Sequence, residues 1–197
     1  MSSYEKPDFW AQKAKKEGYP ARSVYKLQEI DKKFSLVKTG MRILDIGAAP
    51  GSWSMWALKK LAGTGFLAAV DLQDLAFVEP RPNFFFVKGD LYDAAVRSAL
   101  LSRGPYGLVM SDAAPATTGN RFVDQSQSEA IVEAVASYAE ESLARGGSFV
   151  AKIFQGGAEA AILKRLRSRF NAARGFKPDA CRSESFEIYL VATGFKG

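Results

Sequence analysis

The chain of 197 residues contains no histidine. That removes the usual general base, histidine zinc sites and Ser-His-Asp hydrolysis, so any catalysis must use Lys, Asp, Glu or Tyr. Four such residues interrupt otherwise apolar patterns. The run Gly147-Ser148-Phe149-Val150-Ala151-Lys152-Ile153-Phe154-Gln155-Gly156 is apolar except near its end at Lys152, and burying a lysine is costly unless it is paired or neutral. Glu187 repeats the pattern between Phe186 and Ile188-Tyr189-Leu190-Val191, Asp112 closes Leu108-Val109-Met110-Ser111, and Lys26 lies in the helical pattern Val24-Tyr25-Lys26-Leu27. A structural ion pair joining neighbouring strands would account for Lys152 and Glu187. With Asp112 and Lys26 added, four alternating charges could converge at one place.

A second set of residues has the chemistry of a nucleoside site. Asp45-Ile46-Gly47-Ala48-Ala49-Pro50-Gly51-Ser52-Trp53 follows an apolar run and opens an apolar-periodic segment, which reads as strand, glycine turn and helix start. Its glycines permit a tight bend and close approach to a ligand, and a helix start offers unpaired N–H groups. The loop lacks the G-x-G-x-x-G spacing of dinucleotide enzymes and the G-K-[ST] ending of a P-loop. Ligands of open parallel sheets bind beyond the carboxyl ends of the strands, and three carboxylates stand there. Asp71, after Ala68-Ala69-Val70, can accept both hydroxyls of a ribose. Asp90, after Val87-Lys88-Gly89, can accept from an adenine amino group, and Asp112 follows the fourth strand. Trp53 would shield the ligand or pack as the first core residue of its helix.

These residues need a scaffold, and the apolar pattern supplies one. Helices are expected at 7–17, 23–34, 53–61, 92–102, 125–144 and 158–170, with Ser23 as an N-cap and Asp93 as a first-turn charge. Strands are expected at 42–46, 66–71, 84–88, 107–111, 147–153, 174–178 and 186–193. Alternating strands and helices mean a mostly parallel sheet with helices on both faces. The short link through Pro178, Asp179 and Ser183 makes the last two runs an antiparallel hairpin at its end. The chain reads as one domain, 1–197, with residues 1–40 as a helical extension that carries Lys26.

Composition narrows the class further. Hydrophobic residues make up 47% and charged residues 24%, ordinary for a soluble globular protein. The N-terminus has no apolar leader and no run is long enough to span a bilayer, which points to the cytoplasm. The single cysteine, Cys181, rules out an internal disulfide and a cysteine-cluster metal site, and no metal is expected. The net charge of +6 is uneven: residues 1–40 hold nine Lys or Arg against five Asp or Glu, and residues 160–197 hold eight against three. These basic ends also carry Trp10, Tyr19, Tyr25 and Phe176, a pattern suited to a polyanion.

The motifs Arg22-Ser23-Val24-Tyr25-Lys26-Leu27, Asp45 through Trp53, Ser111-Asp112-Ala113-Ala114-Pro115, Gly146 through Gly156 and Glu187-Ile188-Tyr189 occur in one order. Together they resemble the FtsJ/RrmJ family of RNA ribose 2′-O-methyltransferases, over a match running from about residue 7 to the C-terminus. The resemblance implies a Rossmann-like S-adenosylmethionine-dependent fold with a seven-stranded, mostly parallel sheet whose last strand is antiparallel. It implies a catalytic tetrad at Lys26, Asp112, Lys152 and Glu187, and cofactor contacts at Gly51, Trp53, Asp71, Asp90 and Asp112. It also implies an RNA partner, 23S rRNA of the large ribosomal subunit, and a monomeric enzyme; a transfer RNA or a messenger cap would suit the same tetrad. Ser52 stands where the family often has a second glycine, and Thr118-Gly119 where it usually has Ser-Gly.

On this reading Lys152 handles the proton of the ribose hydroxyl, Glu187 positions a lysine, Asp112 bridges cofactor and catalytic site, and Lys26 also meets the substrate. A nicotinamide oxidoreductase is disfavoured by the missing fingerprint. Methylation of exocyclic amines is disfavoured by the lack of Asp-Pro-Pro-Tyr after the fourth strand. A non-catalytic RNA-binding protein would leave the four charges without a use.

Overall fold

The computed structural model describes residues 8–77, 81–182 and 184–197. The first residue of the helix expected at 7–17, the six residues before it, and Ser183 of the last link lie outside the described residues. The helices are α1 Phe9–Lys16, α2 Val24–Phe34, α3 Ser52–Leu61, α4 Ala94–Leu101, α5 Arg121–Ser142 and α6 Glu159–Arg169. The strands are β1 Arg42–Ile46, β2 Phe66–Asp71, β3 Phe84–Lys88, β4 Tyr106–Ser111, β5 Leu143–Phe154, β6 Phe170–Phe176 and β7 Glu187–Phe195.

The strands form one seven-stranded sheet in the order β3-β2-β1-β4-β5-β7-β6. β1 to β5 run parallel, and β7 is inserted antiparallel to both β5 and β6. Strand alternation sorts the core into two layers. Ile43, Leu67, Ala69, Met110, Val150 and Tyr189 face α1 to α3, while Leu44, Ala68, Val70, Val109, Ala151 and Leu190 face α4 to α6. No helix among the described residues is long and apolar enough to cross a membrane.

Four local expectations shift. Ser23 occupies the N-cap position of α2, but its backbone is already helical and its hydroxyl makes no cap. Asp93 is more than a first-turn charge: its carboxylate accepts from the amides of Ala95 and Val96 and caps α4. The helix expected from 125 begins at Arg121, because the Asn120 side chain accepts from the amides of Phe122 and Val123. The strand expected at 174–178 follows α6 directly and ends at Phe176. The aromatic residues of the basic ends pack inward, with Tyr25 buried and Trp10, Tyr19 and Phe176 against the same core. Lysines lie over them: Lys13 over Tyr25, Lys33 over Phe176 and Lys59 over Tyr19.

Helices α1 and α2 belong to the sheet's covering layer because polar contacts lock them there. The Ser52 hydroxyl at the start of α3 accepts from the Ala21 amide at 2.7 Å, and the Trp53 indole donates to the Ser23 carbonyl at 2.9 Å. From the middle of α2, Glu29 accepts from the amides of Asp179 and Ala180 at 2.6 and 3.0 Å, tying down the link between β6 and β7. Arg22 donates to the Ala180 carbonyl at 2.5 Å. Glu29→Ala leaves two amides of that link without their acceptor. A loss of about 1–2 kcal/mol is expected, measured as a lower midpoint of urea unfolding; an unchanged midpoint would contradict this anchoring role.

Candidate functional site

The four charges singled out in the sequence meet on the α1–α3 face at the carboxyl ends of β4 and β5. They do so as two crossed ion pairs. Lys26 Nζ lies 2.6 Å from Glu187 Oε1, and Lys152 Nζ lies 3.0 Å from Asp112 Oδ1 while donating to the Asp112 main-chain carbonyl at 2.5 Å. The ion pair expected between Lys152 and Glu187 is therefore not the one formed. Register explains why: Lys152 stands opposite Tyr189, and Glu187 stands opposite Phe154. All four side chains are largely buried, at 10–16% exposure.

Tyr189 completes the cluster, and the charge pattern alone did not point to it. Its hydroxyl donates to Asp112 Oδ1 at 2.7 Å, its ring lies 5.8 Å from that of Trp53, and Lys26 Nζ is 6.0 Å from its centroid. Its position two residues beyond Glu187, on the same strand face, is the signal that could have found it. Burial followed by the Asp112 and Glu187 carboxylates raises the Tyr189 hydroxyl well above its ordinary range, so it stays a neutral donor. Burial also pushes the Asp112 carboxyl up. Lys152, Lys26 and the Tyr189 hydroxyl outweigh that and hold it below its ordinary value, as a carboxylate. Cys181, close to Glu187 and Lys26, is pushed up to about 12 by burial and then by Glu187, which makes its thiol inert.

Next to this cluster a cavity of about 690 Å³ opens over the ends of β1, β2 and β4, within the range of small-molecule sites. Asp71, Asp90 and Asp112 all line it, with Gly47, Ala49, Leu72 and Tyr92 among its other walls. Asp71 accepts from the amides of Ala49 and Gln73, both at 2.8 Å, and so shapes the glycine turn while each oxygen keeps a lone pair for a ligand. Asp90 accepts from the Tyr92 amide at 2.9 Å. Gly47 has φ 75°, and a Cβ there would overlap Ala113, which brings the β1 and β4 loops together. The carboxylates suit a ligand bearing hydroxyl and amino donors, and the apolar walls suit its flat ring.

Two further expected contacts lie just outside the cavity lining. Gly51, with φ 111°, caps α3 and faces Phe77, where a side chain would collide. Trp53 is 2% exposed and packs against Tyr189 of the charge cluster rather than along the cavity. Ser52 points away from the cavity toward Ala21, so the departure from a second glycine serves to anchor the N-terminal helices. No group of His, Cys, Asp and Glu among the described residues could hold a metal ion.

Comparison with known proteins agrees with this geometry. A sequence model of the FtsJ-like methyltransferase family matches residues 19–195. A protein of Treponema denticola named ribosomal RNA large subunit methyltransferase E is 50% identical, over 100% of this chain and 98% of its own. A Borrelia duttonii protein of the same name is 50% identical, over 95% and 96%. Among solved structures, a ribosomal RNA methyltransferase from Plasmodium falciparum aligns with a TM-score of 0.78 at 27% identity, covering 91% of this chain and 100% of its own.

Asp45, the first residue of the glycine turn, is wholly buried beneath α3. Its Oδ2 accepts from the Ser54 hydroxyl at 2.6 Å, and Oδ1 has no partner among the described residues. Burial raises its carboxyl, the Ser54 bond lowers it, Asp112 and Asp71 raise it again, and the result is about 7 against an ordinary 3.8. A raised folded-state value means that the stability associated with this carboxyl is complete below the unfolded value and is lost as pH rises toward 7. Asp45→Asn stays neutral throughout. Relative to the unsubstituted protein it should gain about 2 kcal/mol between pH 5 and pH 7, read from denaturant unfolding at both values; a difference independent of pH would contradict a neutral Asp45.

Proposed function

This chain belongs to the FtsJ-like methyltransferase family, and from that premise we propose that it transfers a methyl group from S-adenosylmethionine to a ribose 2′-hydroxyl of 23S rRNA in the large ribosomal subunit. Its relatives carry the name of a large-subunit ribosomal RNA methyltransferase. One observation carries the chemical part of the reading: Asp112 lines the ligand cavity and also holds Lys152 through both its carboxylate and its carbonyl. The residue that borders the donor's seat is thus the residue that aims the lysine.

The donor fits the cavity's acceptors. Asp71 would take the ribose hydroxyls, Asp90 the adenine amino group, and Asp112 the region near the methionine portion, with Gly51 and Trp53 supporting the turn from outside. When bound, S-adenosylmethionine supplies an activated sulfonium methyl. The protein must then align a ribose hydroxyl with it and accept one proton.

Lys152 is placed for that proton. An ammonium has three N–H directions; two are spent on Asp112, and the third is left for a substrate hydroxyl. In its neutral form the same nitrogen presents a lone pair to that hydroxyl, takes its proton, and becomes the ammonium that Asp112 stabilises. Glu187 holds Lys26, Tyr189 fixes Asp112, and Lys26 is available to a ribose or phosphate of the substrate. Residues 1–40 act as the part of a single catalytic domain that delivers Lys26. The reading sets the enzyme in the cytoplasm as a monomer.

Lys152→Ala removes the proton acceptor and leaves the cavity-lining residues themselves unsubstituted, with Asp112 still held by the Tyr189 hydroxyl. Methyl transfer to large-subunit RNA should fall by roughly 100-fold or more. The affinity for S-adenosylmethionine, measured by calorimetry, should stay within about twofold, a margin of less than about 0.5 kcal/mol. Turnover at the unsubstituted rate would overturn the assignment.

A further inference from the structure

Beyond Lys152 the same strand face continues to Phe154, which stands directly opposite Glu187 in the β5–β7 register. Its backbone is therefore the cross-strand neighbour of a member of the charge cluster. It belongs to a group of aromatic residues that the reaction described above does not use. Phe186 meets Phe154 edge-on at 5.0 Å, the Arg121 guanidinium lies 5.2 Å from the Phe186 centroid, and Phe122 is 78% exposed at the start of α5. Phe122 and Phe154 share a shallow cleft of about 200 Å³ with Gln125, Ser126 and Glu129.

The group is held firmly. The Phe154 amide donates to Ser128 Oγ at 3.0 Å, and the Gln155 amide to the Phe186 carbonyl at 2.9 Å. Gln125 donates to the Gln155 carbonyl. Glu159 accepts from the amides of Gly156 and Gly157 at 3.2 and 2.8 Å. Gly156 packs so closely on Gln125 that a side chain there would collide. Phe154 and Phe186 are thus held at the end of β5 beyond Lys152, where a substrate ribose must approach, and the exposed Phe122 stands beside them at the start of α5. This sets them apart from Trp10, Tyr25 and Phe34 of α1 and α2, which pack against the core.

From this we infer that Phe122, Phe154 and Phe186, with Arg121 at their edge, form a stacking platform for an unpaired nucleobase next to the methylated ribose; the inference rests on the RNA-methylating reading. Single-stranded RNA is recognised by aromatic and guanidinium faces that take splayed-out bases. Charge assigns the parts. Glu129 in the cleft repels a phosphate and accepts from the N–H groups of a base edge, whereas Arg121 at the rim suits the backbone phosphate. Continuity with the catalytic cluster sets the occupant within one nucleotide of the target.

The test measures methyl transfer to two substrates, assembled large subunits and a naked 23S rRNA transcript, with Phe122→Ala, Phe122→Trp and the volume-conserving Phe154→Leu. Phe122→Ala should raise KM for the naked transcript roughly 5- to 150-fold. Its kcat, its S-adenosylmethionine affinity and its unfolding midpoint should be unchanged, since Phe122 is largely exposed. Phe122→Trp should restore KM, and Phe154→Leu should raise it. An unchanged KM in both Phe122→Ala and Phe154→Leu would overturn the platform. So would a loss seen only with assembled subunits, which would put a protein partner on these rings. An unsubstituted enzyme that methylates neither RNA would instead overturn the functional reading on which the platform rests.

Discussion

A lysine at the end of an apolar central strand must be paired, and the arrangement of this site follows from how that need is met. Lys152, on β5 between β4 and β7, is buried, and Asp112 meets it with a carboxylate oxygen and a main-chain carbonyl. Asp112 in turn is stabilised as an anion by Lys152, Lys26 and the Tyr189 hydroxyl. The second lysine brings a second carboxylate, Glu187, so the cluster is neutral overall. Two crossed pairs of this kind hold a lysine in place at the end of the strand.

The helices ahead of the sheet serve the same end. Lys26 reaches Glu187 only if α2 lies across β5 and β7. Ser52 and Trp53 from α3 grip the turn before α2, while Glu29 and Arg22 grip the link before β7. The glycine turn, the N-terminal helices and the strand that carries Glu187 are thus joined by specific polar contacts around one face. Asp112 is the residue shared by the cavity and the charge cluster.

Much of this was legible in the sequence because alternation and charge are local. Apolar runs marked β1, β2 and β3 at their observed bounds, and the acids that follow strands proved to share one cavity. What stayed hidden depends on contacts distant in the chain. Which lysine pairs with which carboxylate is set by the register of β5 against β7, which no spacing reveals. The roles of Ser52 and Trp53 depend on where the Ala21–Ser23 turn docks. The early start of α5 came from Asn120, a cap that follows a glycine and reads equally well as a turn. Tyr189 and Phe154 were not singled out by the charge pattern, because aromatic side chains in a strand look the same whether they fill a core or border a site.

On the proposed reading this charge cluster directs methylation to a ribose oxygen and not to a base. The most direct measurement incubates the protein with methyl-labelled S-adenosylmethionine and large subunits lacking the modification, hydrolyses the RNA in alkali and locates the label. A 2′-O-methyl group blocks cleavage at its own nucleotide, so the expected result is label confined to one alkali-resistant dinucleotide of 23S rRNA. Label released with mononucleotides would place the methyl on a base and contradict the account.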